Sequence, residues 1–190
     1  MANINIHEDV ERILVTEEEL REINRRLGKK ITEDYKDKKL FIVGILKGSI
    51  YFMTDLTRNI DLPLEIDFLG VSSYGSSTRT SGQVKIIKDL DKSIAGYDVL
   101  LIEDILDTGR TLSYVSNMLQ SRGANSIAVC TLLDKPERRA PDVTLVPEYV
   151  GCDVPNAVVI GYGLDYDQKY RNLPYIGVIK ESAIKPEDRD

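Results

Sequence analysis

The hydrophobic residues of this chain follow two patterns, and each pattern predicts one kind of secondary structure. Apolar positions recur at helical spacing from Leu20 to Ile31, behind a capping-box pattern that begins at Thr16, so a helix is predicted from about Glu17 to Tyr35. Similar spacing predicts helices through Ile50–Leu56 and Leu112–Leu119. Continuous apolar runs at 40–46 and 99–102 predict strands buried on both faces, and further strands are expected at 126–133, 157–160 and 175–179.

A third pattern, in the first half of the chain, predicts a hairpin. Leu64–Val71 alternates apolar and acidic residues, which is typical of a strand whose polar face, with Glu65 and Asp67, lies in solvent. Residues 72–83 are mostly Ser, Thr and Gly with almost nothing to bury, which predicts a mobile loop. Val84–Ile87 then returns as a strand, so the hairpin carries a long, flexible tip.

The alternation of strands and helices predicts the fold class. It indicates an α/β protein with a mainly parallel sheet and helices on both faces. In such sheets ligands bind beyond the carboxyl ends of the strands. The distinctive loops of the chain each follow a buried strand, at 47–49, 103–111, 134–136 and 161–171.

Composition narrows the class of protein further. The chain has 190 residues, which fits a single domain, and its net charge of −6 argues against a dedicated nucleic-acid binder. Its two cysteines, Cys130 and Cys152, lack the spacing of a disulfide framework or a zinc site. No signal peptide and no apolar run long enough to cross a bilayer is visible, so we expect a cytoplasmic protein with no membrane partner.

The most informative segment is VLLIEDILDTGRT at residues 99–111. A buried strand leads into Glu103 and Asp104, and a turn rich in glycine and hydroxyl groups then opens a helix. Backbone N–H groups at a helix start, with the hydroxyls of Thr108 and Thr111, form a cradle for phosphate. The two carboxylates would repel phosphate, but they can accept hydrogen bonds from sugar hydroxyls or hold a magnesium ion. We therefore predict a loop from 103 to 111 that binds both halves of a ribose 5-phosphate.

This segment resembles the signature of the phosphoribosyltransferases that use phosphoribosyl pyrophosphate. From Leu40 to Ile179 the chain is similar to the purine branch of that family, of the bacterial hypoxanthine-guanine type. The resemblance implies a type I phosphoribosyltransferase fold with a small hood built from the N- and C-terminal segments of one domain, residues 1–190. It also implies transfer of a phosphoribosyl group to a 6-oxopurine, Mg²⁺ as cofactor, and a homo-oligomer, either a dimer or a tetramer.

The resemblance assigns roles to individual residues. Those expected to bind the ribose hydroxyls and the 5-phosphate are Glu103, Asp104, Asp107, Thr108, Gly109, Arg110 and Thr111. Asp107 is the expected general acid or base, and the expected magnesium ligands are Glu103, Asp104 and Asp165. The expected pyrophosphate contacts are Lys47, Gly48 and Arg171, with a cis peptide between Leu46 and Lys47. Ser73 and Tyr74 begin the loop that closes over the site.

The purine site follows from the same resemblance and contains one departure. Lys135 is expected to donate a hydrogen bond to the oxygen of a 6-oxopurine, since an ammonium group has donors only. The backbone at Val159 is expected to read the purine edge, with Asp165 nearby. The family usually carries an aromatic ring before that position, where this chain has Val158.

Two alternatives stay open at this point. One is a regulatory protein that keeps the phosphoribosyl pyrophosphate site as a sensor and binds nucleic acid, although the acidic chain shows no basic surface. The other is an enzyme of the same fold with another acceptor, such as xanthine or a pyrimidine, which Val158 leaves possible.

Overall fold

The computed structural model describes residues 5–73 and 84–188. This part of the chain contains three α-helices: α1 (Glu17–Asp34), α2 (Ile50–Thr57) and α3 (Arg110–Ser121). Its strands are β1 (Val10–Val15), β2 (Leu40–Leu46), β3 (Glu65–Ser73), β4 (Val84–Lys88), β5 (Asp98–Leu106), β6 (Ser126–Asp134), β7 (Tyr149–Asp153), β8 (Val159–Ile160) and β9 (Ile176–Ile179). Short 3-10 turns lie at Pro136–Arg138, Glu181–Ala183 and Pro186–Asp188.

The central sheet has the strand order β4-β3-β2-β5-β6-β7. Every neighbouring pair is parallel except β3 and β4, which are antiparallel. Helices α1 and α2 pack on one face of this sheet and α3 packs on the other. The predicted fold class, a mainly parallel sheet with helices on both faces, is therefore confirmed.

The two central strands explain why the sequence shows continuous apolar runs. Successive side chains of a strand point to opposite faces. In β2, Ile42 belongs to the core under α1 and α2, whereas Val43 belongs to the core under α3. In β5, Leu100 and Leu101 divide between the two cores in the same way. Both faces are covered, so neither strand has a position for a solvated side chain.

Helix α1 begins where its sequence predicts. The Thr16 side chain accepts a hydrogen bond from the Glu19 backbone N–H, and the Glu19 carboxylate accepts one from the Thr16 backbone N–H at 2.7 Å, so the capping box is complete. The helix ends at Asp34, and Tyr35 caps it rather than continuing it.

A second, smaller sheet has the order β1-β9-β8 and joins the two ends of the described chain. We call it the hood sheet. Its strands are antiparallel, and Val10 pairs with Ile179. Neither β1 nor β7 is predicted by the hydrophobic pattern, because β1 (VERILV) mixes charged and apolar residues and β7 (YVGCD) is short and contains a glycine.

Two details of the predicted strands are wrong. The region from 103 to 109 was expected to be a loop, but β5 continues to Leu106, because Glu103 and Ile105 pair with Thr131 and Leu133 of β6. The two acidic residues of the signature therefore sit on a rigid strand, and the loop that follows is shorter than predicted.

The second correction concerns β3, whose expected solvated face contains a buried aspartate. Asp67 is buried and Ile66 is 54% exposed. The Asp67 carboxylate accepts hydrogen bonds from the backbone N–H groups of Phe68 and Asp91, at 2.6 and 2.7 Å, and from Lys88 Nζ at 3.0 Å. These partners hold a charge inside the structure that the alternating pattern assigned to solvent. The predicted flexible tip at 74–83 lies outside the described residues.

We predict that Asp67→Asn lowers the free energy of unfolding by about 1–3 kcal/mol at pH 7, since it weakens a buried, charge-assisted network. Burial alone would raise the pKa of Asp67, but its hydrogen bonds with the Asp91 and Phe68 backbone and with Lys88 lower that pKa overall. The pKa of Asp67 in the folded protein therefore lies below its value in the unfolded chain, and the value in the unfolded chain is near 4. The stabilisation is present above about pH 4 and is lost as the pH falls through the folded pKa.

Urea unfolding of both proteins from pH 7 down to pH 3 would measure this difference. The matched control is Asp91→Asn, because Asp91 also pairs with Lys88 but its side chain is 83% exposed, and it should change stability by less than about 0.5 kcal/mol. A difference between wild type and Asp67→Asn that does not shrink at low pH would contradict the role of the charge.

No helix of the described chain is long and apolar enough to cross a membrane.

Candidate active site

The carboxyl ends of the parallel strands open onto a cleft of about 510 Å³. This is the edge of the sheet at which the sequence predicts the functional loops. The cleft lies between the central sheet and the segment that leads through β8 into the hood sheet. Six of the predicted site residues line it: Asp104, Asp107, Lys135, Val158, Val159 and Asp165.

A smaller hollow of about 240 Å³ adjoins the cleft, at the turn between β5 and α3. The predicted residues that line this hollow are Glu103, Asp107, Thr108, Gly109 and Thr111. Ile105 and Asp107 line both spaces, so the cleft and the hollow meet at these two residues. A ligand that filled both spaces would contact both residues. Ile105 has no assigned role in the sequence prediction.

The turn before α3 has the backbone geometry of an anion cradle. Gly109 has φ 78°, in the left-handed region that glycine adopts without strain, and it is the N-cap of the helix. A Cβ atom there would come within 3.0 Å of Val143 Cγ1. The first backbone N–H groups of α3 have no partner within the helix, so they are available to an anion in the hollow.

Two arginines that the sequence did not predict as functional residues hold the turn between β5 and α3 in place. Arg139 Nη1 donates to the Asp107 carbonyl oxygen at 2.6 Å, and its other nitrogen pairs with Asp134 at the end of β6. Arg138 Nε donates to Asp107 Oδ1 at 3.0 Å and lines the cleft. Both arginines lie within four residues after Lys135, but their contact with residue 107 is visible only when β5 and β6 pair.

Glu103 and Asp104 place two carboxyl groups at the edge of the buried sheet. The pKa of Glu103 is raised well above its usual range, mainly by burial and then by the charge of the neighbouring Asp104. Burial also raises the pKa of Asp104. Asp104 Oδ1 accepts from the Ile105 backbone N–H at 2.7 Å. Glu103 Oε2 is buried and has no hydrogen-bond partner among the described residues. A buried acceptor without a partner is suited to a hydrogen-bond donor or a cation that a ligand supplies.

The loop after β2 packs closely against Asp104. A Cβ atom on Gly48 would lie 1.6 Å from Asp104 Oδ2, so no larger residue fits without movement of the loop or the carboxylate. Gly163 has φ 105°, and a Cβ atom there would lie 2.0 Å from the Gly48 carbonyl oxygen. The peptide bond between Leu46 and Lys47 is cis, as the family resemblance implies.

Arg171 joins two of the predicted functional positions. Its Nη1 donates to the Gly163 carbonyl oxygen at 2.7 Å, and its Nη2 lies 2.7 Å from Asp165 Oδ1. Asp165 Oδ2 also accepts from the Gln168 backbone N–H at 2.8 Å. The guanidinium and the carboxylate therefore form an ion pair beside the Gly48 loop.

Lys135 is buried, and its Nζ donates to the Ala157 carbonyl oxygen at 2.8 Å. Desolvation lowers the pKa of Lys135, and the negative charge of Asp107 opposes that effect. One of its three N–H donors is engaged with the protein, so the others can bind an acceptor in the cleft.

The comparisons with known proteins agree with this geometry. The model of the phosphoribosyl transferase domain matches residues 9–167. The chain belongs to the phosphoribosyltransferase family. It is 52% identical to the hypoxanthine-guanine phosphoribosyltransferase of Bacillus subtilis over 93% of this chain and 97% of that protein. The crystal structure of a hypoxanthine phosphoribosyltransferase from Staphylococcus aureus superposes with a TM-score of 0.92 at 50% identity, over 97% of this chain and all of that one.

In a longer relative, a similar sequence forms part of a larger protein. The bifunctional protein TilS/HprT of Listeria innocua is 52% identical over 94% of this chain, which spans 27% of that protein's length.

Several residues that the sequence predicted to be functional line neither the cleft nor the smaller hollow. Arg110 Nη2 donates to Asp142 Oδ1 at 2.9 Å, and Arg110 does not line the smaller hollow. Lys47 is exposed at the tip of its loop. Ser73 ends β3 and pairs with Val84, and Tyr74 lies outside the described residues.

The expected metal ligands of this phosphoribosyltransferase do not form a preassembled group. Across residues 5–73 and 84–188, no three His, Cys, Asp or Glu side chains lie close enough together to hold a metal ion by themselves. Glu103 and Asp104 are adjacent, whereas Asp165 is paired with Arg171.

We predict that Gly48→Ala reduces kcat/KM for phosphoribosyl transfer by at least about 100-fold. The added methyl group must displace either the loop or Asp104, and a displacement of about 1 Å in a catalytic site costs on this order. Steady-state kinetics would measure the loss.

The matched control is Gly123→Ala. Gly123 also has a positive φ, 85°, but a Cβ atom added there would lie 3.5 Å from its nearest neighbour, Ala95 Cβ. Gly123 lines neither the cleft nor the hollow. This variant should lose about 1–2 kcal/mol of stability from backbone strain and keep its kcat/KM. Full activity in Gly48→Ala would show that the close packing of this loop is not needed.

Proposed function

We propose that this chain is a purine-salvage enzyme that transfers the 5-phosphoribosyl group of phosphoribosyl pyrophosphate to hypoxanthine or guanine, giving IMP or GMP and pyrophosphate. The observation that carries the proposal is the junction of a base-sized cleft with a phosphate hollow at Ile105 and Asp107. A nucleotide has a planar base at one end and a phosphate at the other, with the ribose between them. The names of relatives that are 52% identical over nearly all of their length support the same reaction.

In this proposal the phosphoribosyl group lies across the junction. The backbone N–H groups and hydroxyls of Asp107–Thr111 bind the 5-phosphate, and Glu103 with Asp104 accepts hydrogen bonds from the ribose hydroxyls. The Gly48 loop, with Lys47, and the guanidinium of Arg171 bind the pyrophosphate, since an arginine fork suits phosphate oxygens. Because Arg171 is already held by Gly163 and Asp165, its position is set before the substrate arrives.

The base occupies the cleft, and Lys135 supplies its specificity. The ammonium group can donate to the oxygen of hypoxanthine or guanine, whereas the amino group of adenine offers it no acceptor at that position. Val158 and Val159 contribute apolar surface and, at residue 159, backbone groups that can contact the purine edge.

The residues fit a magnesium ion that arrives with the substrate. Mg²⁺ prefers oxygen ligands and usually takes one or two carboxylates, with waters and substrate phosphates for the rest, so a preformed group of three side chains is not required. The buried, unpartnered Glu103 Oε2 and the adjacent Asp104 offer such oxygens. Asp165 would join them, directly or through water, if its pairing with Arg171 opened. A bound magnesium ion would neutralise charge on the leaving pyrophosphate.

The chemical step forms a bond between N9 of the purine and the anomeric carbon of the ribose while the bond from that carbon to pyrophosphate breaks. Positive charge develops on the sugar ring, so the carboxylates at the end of β5 stabilise the transition state more than the ground state. Asp107 is the proposed general acid or base, since it lines both spaces and lies where N7 of the purine could be reached.

The proposal extends to the surroundings of the site. The family resemblance supports a homo-oligomer, either a dimer or a tetramer. Four further points stay predictions. They are the cytoplasmic location, the absence of nucleic-acid and membrane partners, the closing role of Ser73 and Tyr74, and the single-domain organisation of residues 1–190.

We predict that Asp107→Asn lowers kcat by about 100-fold or more and leaves the affinity for phosphoribosyl pyrophosphate within about threefold. The substitution keeps the size of the side chain and its contact with Arg138 but removes proton transfer. Single-turnover kinetics and equilibrium titration of phosphoribosyl pyrophosphate would separate the two effects. Equal losses in rate and affinity would assign Asp107 to binding alone.

The experiment that tests the function is a steady-state assay with phosphoribosyl pyrophosphate and Mg²⁺, in which hypoxanthine, guanine, xanthine, adenine and uracil are offered separately and pyrophosphate release is measured. We expect turnover with hypoxanthine or guanine and little with adenine or uracil. Turnover confined to xanthine or uracil would replace the acceptor. Binding of phosphoribosyl pyrophosphate without any turnover would favour a sensor protein, and a gel-shift assay with RNA and DNA at physiological salt would then test that role.

A further inference from the structure

The segment that follows β9 forms part of the base cleft. After Lys180 the chain makes two 3-10 turns, at Glu181–Ala183 and Pro186–Asp188. Three residues of this C-terminal segment, Glu181, Ile184 and Asp188, line the same cleft as Lys135 and Val158. The family resemblance places this segment in the hood but assigns it no binding residue, because it lies beyond the motifs that carry the resemblance.

The C-terminal segment is held by several independent contacts. Tyr166 Oη donates to Asp188 Oδ2 at 2.7 Å and accepts from the Lys185 backbone N–H at 2.8 Å. Lys185 Nζ lies 3.1 Å from Asp167 Oδ2. At the other end of the segment, the Lys180 backbone N–H donates to the Asp9 carbonyl oxygen at 2.8 Å. The segment is thus fixed on both sides of Ile184.

Ile184 has apolar neighbours in the hood. Together with Ala183 and Tyr166 it is half-buried against a cluster formed by Ile160, Leu173 and Ile179. Ile184 is also one of the residues that line the cleft. A branched aliphatic side chain anchored in this way can present a fixed apolar surface to a flat ligand.

The need for such a surface follows from Val158. This residue is 40% exposed in the cleft and stands where the family usually has an aromatic ring. A valine covers less of a purine ring than an aromatic side chain does, so additional apolar surface is required to remove the base from water. The other apolar side chains of the cleft are Ile105, Ala157, Val159, Leu164 and Ile184.

We propose that the C-terminal segment is a wall of the purine site, in which Ile184 packs against the bound base and determines its affinity. Tyr166 is the positioning residue that holds this wall through Asp188 and Lys185. The inference rests on the proposed function, because it takes the cleft to be the purine site. It adds a binding residue from a part of the chain that the family motifs do not reach.

The test compares Ile184→Ala with wild type in the steady-state assay. We expect the KM for hypoxanthine to rise about tenfold, since loss of buried methylene groups in a substrate pocket has effects of this size. The KM for phosphoribosyl pyrophosphate should stay within about twofold and kcat within about threefold. The matched control is Ile13→Ala, an isoleucine of β1 that is 49% exposed and does not line the cleft, and it should change none of these constants.

Tyr166→Phe tests the positioning role, because it keeps the ring and removes the hydroxyl. It should raise the KM for hypoxanthine without lowering kcat by the same factor, and it should add little to Ile184→Ala in the double variant. Its control is Tyr149→Phe, since the Tyr149 hydroxyl donates to Asp34 Oδ2 at 2.8 Å and Tyr149 does not line the cleft. An additive effect in the double variant would show that Tyr166 does not act through Ile184.

Equilibrium titration provides a readout that does not depend on turnover. Ile184→Ala should bind IMP about tenfold more weakly than wild type and bind ribose 5-phosphate equally well. If Ile184→Ala fails to fold, Ile184→Val should show the same selective loss at about two- to threefold. If the wild type is active and a folded Ile184 variant keeps the wild-type KM for hypoxanthine, the inference about Ile184 is wrong and the proposed function is unaffected. A wild type that transfers phosphoribosyl to no base overturns the proposed function itself.

Discussion

Glu103 and Asp104 occupy the end of a strand that is buried on both faces, and their two carboxyl groups share a poorly hydrated space. Burial raises the pKa of both groups; Asp104 raises the pKa of Glu103 further, whereas a hydrogen bond with Glu103 lowers the pKa of Asp104. Such a pair is stable as two charges only when a cation or several donors compensate it. Arg171 supplies part of that compensation by opposing the rise in the pKa of Asp104, while Glu103 Oε2 is without a partner among the described residues. The proposed ligands, a ribose with adjacent hydroxyls and a magnesium ion, are the kinds of group that complete this environment.

The close packing around that pair brings together parts of the chain that are far apart in sequence. The Gly48 loop lies against Asp104, and the backbone at Gly163 lies against the Gly48 carbonyl oxygen, so the β2 loop and the segment after β8 meet at one point. Arg171 then ties Gly163 to Asp165. Each contact depends on the absence of a side chain or on a single hydrogen bond. The position of the proposed pyrophosphate and metal groups is therefore determined by the sheet edge, and not by the loops alone.

Much of the fold could be predicted because its signals are local. The capping box at Thr16 and the apolar run at Leu40–Leu46 each predict their own element without reference to the rest of the chain. The errors arise where pairing with a distant segment decides the outcome. Strand β5 continues through Glu103 because β6 lies beside it, and Asp67 is buried because Lys88 and the Asp91 backbone reach it. The contacts of the two arginines after Lys135 and the place of Ile184 in the cleft likewise require the three-dimensional structure.

The acidic composition of the chain is compatible with a polyanionic substrate once charge is considered locally. The net charge of −6 describes the whole surface, but Lys135 and Arg138 line the cleft, and Arg171 lies beside the Gly48 loop. Arg138 contacts Asp107, and Arg171 contacts Asp165. A phosphate entering the site can therefore compete for guanidinium groups that are already positioned, and the carboxylates that it displaces become free for magnesium or for sugar hydroxyls. In the proposed mechanism the acidic residues serve the phosphate site, because they hold the arginines in place until the substrate arrives.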